Sequence, residues 1–211
     1  PSYGTLKKVA ADMKIPVRVL IRPRSGNYIY NDAELEMMCI DIALIKELGY
    51  EGVVIGALTE NGDLDVPKIK AMMKAGEGMK FTFHRAIDAC NDPLEALKIL
   101  VDLGFDKVLT SGCKPKAVDG IEMIAKMQQQ YGDKIKIMAG GGDKQRVCST
   151  FPCASLGERS DIFVYVQRRS LSELAAADCD NAFHIICSTF SRFRRFCPLF
   201  FRGVRRLQIP S

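Results

Sequence analysis

Residues 80–113, K-F-T-F-H-R-A-I-D-A-C-N-D-P-L-E-A-L-K-I-L-V-D-L-G-F-D-K-V-L-T-S-G-C, decide the fold. The stretch opens with Lys80–His84 (KFTFH) and closes with Lys107–Ser111 (KVLTS), two short runs of strand-forming residues. Between them Asp92 stands at a helix cap, Pro93 takes the first helical position and Glu95 sits where a capping-box acid sits. Leu94, Leu97 and Leu100 with Val101 form the apolar stripe of that helix. The unit is strand, helix, strand in roughly 30 residues, the length a parallel crossover requires.

The same unit recurs outward in both directions. Val17–Arg22 (VRVLIR), Gly52–Leu58 (GVVIGAL) and Lys134–Met138 (KIKIM) are further strands, the first of them stopped by Pro23. Leu35, Met38, Ile42 and Ile45 recur at helical spacing, with Asn31 as cap and Gly49 as stop. Asp65, Pro67, Ile69 and Met72/Met73 open a shorter helix, Ala117, Ile121, Ile124 and Met127 mark another, and Thr5–Met13 reads as helical. Alternating elements of this kind imply a parallel sheet covered by helices. It closes either as an open doubly wound sheet or as an eight-stranded barrel. No G-x-G-x-x-G follows any strand, which weakens the dinucleotide-binding form of the open sheet. Polar residues cluster just past strand after strand, where barrels assemble their sites. The expected fold class is α/β: an incomplete (β/α)8 TIM-type barrel with about five recognisable parallel strands and flanking helices, followed by a divergent C-terminal tail.

Composition divides the chain. Its 211 residues carry a net charge of +5, and 47% are hydrophobic. These values exclude a disordered, collagen-like or disulfide-dense protein. No apolar run approaches the roughly 18 residues of a membrane span. No charged-then-apolar leader opens the chain, so no signal peptide is expected. Residues 1–142 hold fifteen Lys, four Arg and nineteen acids, a net charge of zero. Residues 143–211 hold one Lys, ten Arg and six acids, so the whole positive charge lies there. All nine Met fall in the first part, while eight of eleven Phe and five of eight Cys fall in the second. The expected organisation is a barrel segment over 1–142 and an Arg/Phe/Cys-rich tail over 143–211. Such a switch in usage reads as a frame-shifted or mis-spliced continuation rather than a second domain.

The strand ends supply the candidate site. Arg22 and Arg24 flank Pro23, and two guanidiniums there suit a carboxylate or phosphate, unless they pair with acids at the rim. Thr59-Glu60 follows the second strand. His84, Arg85 and Asp88 form F-H-R-A-x-D: a base or ligand, an anion binder and an orienting carboxylate, or a histidine satisfied by backbone. Strand alternation forbids His84 and Arg85 from both facing inward if the strand runs that far. Ser111-Gly112 and Gly140, Gly141 and Gly142 offer bare amides to an anion, or else tight turns. Asn61-Gly62 is more simply a turn. Cys39 reads as a core thiol, Cys90 is uninformative, and Cys113 is the one well-placed soft ligand, although Cu(I) would want a second sulfur. The chain has no C-x-x-C and no zinc spacing, so a reducing compartment is the default.

Taken together, I-R-P-R-x-G at 21–26, G-x-V-I-G-A-L at 52–58, F-T-F-H-R-A-x-D at 81–88, V-L-T-S-G-C at 108–113 and I-M-A-G-G-G at 137–142 resemble the CutC family of copper homeostasis proteins. The resemblance implies a (β/α)8 barrel, a cytoplasmic location and a link to copper tolerance through Cu(I). It implies no secure reaction. It also implies two earlier strands and an eighth strand that this sequence does not match, and the early cysteines proposed as Cu(I) ligands belong to the unmatched part.

Three functions follow as expectations. The first is Cu(I) binding or handling in the cytosol, with Cys113 as metal ligand. The second is a barrel enzyme acting on a small anionic substrate, with Arg22, Arg24, Glu60, Arg85, Ser111 and the Gly140–Gly142 loop holding it while His84 and Asp88 move a proton. The third is a truncated product without function. The expected partners are a copper ion or small anion and, through the barrel helices, a second copy of the chain, but not nucleic acid. In the tail, Asp161–Val166 (DIFVYV) reads as a strand replacing the missing eighth and Ser170–Ala177 as a helix. Ser191–Leu207 interleaves Arg with Phe, but Pro198 and Gly203 break any long amphipathic helix.

Overall fold

A computed structural model describes residues 2–12 and 16–141, together with the backbone of two short strands at 164–166 and 184–186. Helix α1 (Tyr3–Asp12) precedes β1 (Val17–Leu20), then α2 (Asp32–Glu47), β2 (Gly52–Ile55), α3 (Val66–Ala75), β3 (Lys80–Phe83), α4 (Pro93–Asp102), β4 (Lys107–Thr110), α5 (Ile121–Tyr131) and β5 (Lys136–Ala139). The two later strands are β6 (Val164–Val166) and β7 (His184–Ile186). All ladders are parallel, in the order β5-β4-β3-β2-β1-β7-β6. The five strands expected within residues 1–142 are therefore neighbours in chain order.

The helices start where side chains supply the missing hydrogen bonds. Asn31 accepts from the Glu34 amide while Glu34 accepts from the Asn31 amide, a complete capping box on α2. Asp92 accepts from the amides of Leu94 and Glu95 at the start of α4, and Asp65 accepts from Lys68 at α3. Gly49 and Gly104 follow α2 and α4 with positive φ, as stop residues do.

The strands are buried on both faces, which is why they read as continuous apolar runs. Val17, Val19 and Ile21 share one parity with Val53, Ile55, Phe81, Phe83, Val108 and Ile137. They join Met38, Ile42, Ile69, Leu97, Leu100 and Met127 of the helices in one buried cluster. Replacing Leu100, which is fully buried, by Ala costs about 2–5 kcal/mol. The opposite parity is mixed. It carries Leu20, Val54, Leu109 and Met138, but also Arg18, Thr82 and Lys107, all buried. The register steps as the sheet is crossed: Arg18 pairs with Gly52 and Gly52 with Lys80, but Thr82, two residues on, pairs with Lys107. That stagger tilts strands in a barrel.

One expectation is corrected. Val164–Val166 is a strand, yet it lies outside β7 rather than beside β5, so it does not stand in for the eighth strand of a closed barrel. The β1 edge is instead covered by β7, with Val17 opposite His184 and Val19 opposite Ile186. Residues 170–177, read as a helix, and the Arg/Phe segment 191–207 lie outside the described residues.

Candidate functional site at the carboxyl ends of the strands

Arg18, which no strand-end motif pointed to, anchors the opposite end of the sheet. It is 2% exposed and reaches from β1 across to the residue before β4. Its guanidinium donates to Asp106 through two nitrogens at 2.6 and 2.5 Å and to the Thr82 hydroxyl at 2.6 Å, with Glu51 at 3.7 Å. Glu51 also pairs with Lys80 at 2.7 Å. The amino-terminal ends of β1 to β4 are thus tied by charge-assisted bonds. The only signal in the sequence was an Arg inside an otherwise apolar run.

At the carboxyl ends the chain turns away sooner than the sequence suggested. β3 stops at Phe83, and Arg85–Ala89 is a 3-10 turn capped by His84. This resolves the clash between His84 and Arg85: His84 is buried against the sheet, while Arg85 turns out to the rim. The His84 Nδ1 accepts a hydrogen bond from the Ala86 amide at 3.1 Å. The neutral ring then carries its proton on Nε2, which has no partner among the described residues. Burial first, then the Arg22 guanidinium, push the imidazole down to about 3. Its ring lies where a side chain at position 56 would be: a Cβ on Gly56 would meet His84 Cε1 at 2.5 Å. Tyr28 packs against the same ring at 4.9 Å between centroids, and the Arg22 guanidinium lies over Tyr28 at 4.6 Å.

Asp88 does not meet His84, so the expected proton relay between them is not formed. The Asp88 carboxylate instead accepts from the Thr110 hydroxyl at 2.5 Å, the Ser111 amide at 3.0 Å and hydroxyl at 2.9 Å, the Cys113 amide at 3.1 Å and Arg85 Nε at 2.9 Å. It is a post around which the loop after β4 is wound. Arg85 completes the knot through the Ser111 hydroxyl at 2.5 Å. Gly112, with φ +68°, and Gly120 press together so closely that a Cβ on either would stand 2.1 Å from a carbonyl oxygen of the other segment.

The other candidates divide between binding and structure. Arg24 is committed to the rim. It donates to Glu34 at 2.5 Å, Asn27 at 2.8 Å and the Ile29 carbonyl at 2.6 Å, so it forms no clamp with Arg22. The Glu34 hydrogen bond holds Arg24 above its ordinary value and Glu34 below its own. Glu60 and Arg24 both line an outer cleft of about 410 Å³ with Tyr30, Thr59 and Lys68. The Gly140 amide is used by the Thr110 carbonyl, and its missing side chain makes room for Leu109. Gly141, with φ +97°, accepts from the Ala117 amide and lies against Arg85. Both glycines therefore serve turn and packing, and Gly142 lies outside the described residues. Gly62, with φ +79°, forms the expected turn.

A second cavity, about 350 Å³, opens at the mouth between Tyr28, Arg85, Asp88, Cys113, Lys114 and Pro115. Cys113 has a left-handed backbone, φ 60°, which the hydrogen bond from its amide to the Asp88 carboxylate supports. Burial and the Asp88 charge push its thiol up, against Lys114. Cys90 is pushed up to about 12, by burial first and next by Cys113, so the two thiols lie within electrostatic reach. Cys39 is half-buried against the core rather than fully inside it. Among the described residues no group of three or more His, Cys, Asp or Glu is placed to hold a metal ion. Among them, too, no helix is long and apolar enough to cross a membrane.

A parallel sheet wrapped by helices, staggered as in a barrel and bearing its polar side chains at the strand ends, defines a TIM-barrel-like α/β protein. The chain belongs to the CutC family, whose model matches residues 1–151. It is 44% identical over 142 residues to a CutC family protein of Porphyromonas gingivalis, covering 67% of this chain and 57% of that one. It is also 44% identical over 146 residues to the human copper homeostasis protein cutC homolog, covering 69% of this chain and 54% of the human one. The chain therefore spans under two thirds of the length of these curated relatives. The crystal structure of a copper homeostasis protein CutC from Streptococcus agalactiae superposes with a TM-score of 0.70 at 29% identity, over 90% of this chain and 82% of that one.

Proposed function

We propose that this chain handles Cu(I) in copper homeostasis, in the reducing environment of the cytosol. Family membership supports the copper role, and the observation that carries the Cu(I) reading is the Cys113 thiol at the mouth. Cys113 lines the mouth cavity and Cys90 lies within its electrostatic reach. Two sulfurs suffice for a soft monovalent ion, whereas zinc would call for three or four protein ligands. Both thiols are held protonated, so Cu(I) must displace their protons, and binding strengthens as pH rises. Titration of the full chain with Cu(I) against a competing chelator tests this. The wild type should compete and the Cys113→Ser and Cys90→Ser variants should not. Equal competition by wild type and both variants would remove the copper site from these residues.

We infer further that residues 143–211 are an altered continuation of the family sequence. The change in Lys, Arg and Met usage supports this, as does alignment with the curated relatives over 142 to 146 residues. Peptide mass spectrometry of the protein from its source decides it. Peptides from 147–159 or 160–168 would make the tail genuine and sink the inference.

A further inference from the structure

Among the described residues, three buried polar atoms at the carboxyl end of the sheet have no hydrogen-bond partner: Arg22 Nε, Tyr30 Oη and His84 Nε2. Leaving one such group unsatisfied is costly, and three around one arginine call for an explanation. Tyr30 and His84 are 2% and 3% exposed. The Arg22 guanidinium acts electrostatically on both and lies close enough to Tyr30 to act on it as a hydrogen-bond donor too, while burial, the larger effect, holds the Tyr30 phenol up in its protonated form, with its O–H free to donate. All three atoms can donate: a guanidinium N–H, a phenol O–H and the N–H that the Ala86 contact forces onto Nε2.

A set of donors with one fixed positive charge selects its ligand. A cation is repelled by Arg22 and finds no free imidazole lone pair on His84. A neutral apolar group would leave every donor unsatisfied. An oxyanion supplies both the acceptors and the charge. The path to the site is through Tyr28. This ring lies against both Arg22 and His84, and it also walls the mouth cavity of about 350 Å³. Tyr28 is thus the residue that the cavity and the donor cluster have in common.

We propose that Arg22, Tyr30 and His84 form a receptor for the carboxylate or phosphate group of a small molecule, with Tyr28 as its gate. Gly56 is part of the receptor, because only a residue without a side chain lets the His84 ring lie over β2. The receptor shares no residue with the Cys90–Cys113 pair, so it stands or falls apart from the copper reading.

The test is calorimetric titration of the full chain with inorganic phosphate and, separately, with malonate, each against chloride of equal ionic strength to remove screening effects. Saturable binding of at least one anion is expected. Tyr30→Phe, which keeps the ring, and Arg22→Gln should each weaken it about tenfold. Binding of phosphate alone assigns a phosphate-bearing ligand, and binding of malonate alone assigns a carboxylate. Absence of saturable binding, or binding unchanged in both variants, overturns the receptor. Nitrogen NMR of the wild-type His84 ring is independent of how the variants fold. A neutral Nε2-protonated tautomer that shifts on anion addition is expected, and a ring that does not respond overturns the proposal.

Discussion

β1 carries a buried arginine at one end and a half-buried one just past the other, and the two are used in opposite ways. Arg18 reaches across the sheet to Asp106, Thr82 and Glu51, so its charge is consumed in holding four strands together. Arg22 rests on Tyr28 and donates from a terminal nitrogen to the exposed Gly26 carbonyl at 2.7 Å, but among the described residues its Nε, like His84 Nε2 and Tyr30 Oη, has no hydrogen-bond partner. A side chain that satisfies its neighbours contributes to the fold. One that leaves itself and its neighbours unsatisfied is held ready for something else, and in a barrel that end is where ligands bind.

The contrast can be attacked by substitution, beginning with the carboxylate that is most heavily used. Asp88→Ala strips the acceptor from Thr110, Ser111, Cys113 and Arg85 at once, and a loss of about 3–4 kcal/mol is expected in urea unfolding. A loss below about 1 kcal/mol would mean that the loop after β4 holds itself. Arg18→Met leaves Asp106 and Thr82 without their donor. Because Asp106 is 36% exposed and can be solvated, the expected cost is about 2–3 kcal/mol, below that of a fully buried pair. Cost-free replacement would erase the distinction between the two ends.

His84 gives the comparison a pH axis. Its folded value, about 3, lies below the ordinary 6.5, so the unfolded chain binds the extra proton. Stability is therefore full above about pH 6.5 and is lost as pH falls toward 3. Between pH 7 and pH 5 the loss should be about 2 kcal/mol, and His84→Gln should flatten it. Parallel curves for the two proteins would show that His84 charges freely in the fold. The smallest effect is expected at Arg22. Arg22→Gln removes an unsatisfied Nε donor, one stacking contact and an exposed hydrogen bond to the Gly26 carbonyl, so stability should fall by no more than about 1 kcal/mol. A large loss would make Arg22 a second Arg18.

The architecture was legible because it depends on periodicity. Four of the five strand starts, the Asn31 and Asp92 caps and the stop at Gly49 are local signals and lie where the sequence placed them, while the last strand starts at Lys136 rather than Lys134. The pattern assigned no element to Arg85–Ala89, because a single 3-10 turn has no period of its own. The site was legible as a list of residues but not as a set of partnerships. Nothing in I-R-P-R says that Arg24 turns to Glu34 while Arg22 does not. Nothing in F-H-R-A-x-D says that Asp88 ignores the nearby histidine and gathers the loop after β4. Those choices depend on which donors the tertiary fold brings within 3 Å, and a linear pattern carries no such distance. Tyr28 and Tyr30 were passed over because two tyrosines after a strand resemble rim packing until their ring and hydroxyl neighbours are known.

The facing glycines at 112 and 120 bear on redesign of this molecule. Each blocks a side chain at the other, so the loop between β4 and α5 is clasped at its neck, while Lys114, Pro115 and Lys116 bulge exposed beyond it. A library that randomises the bulge explores new mouths on an unchanged scaffold. One that randomises the neck yields chiefly chains that never assemble, so the useful diversity of this barrel is bracketed by two hydrogen atoms.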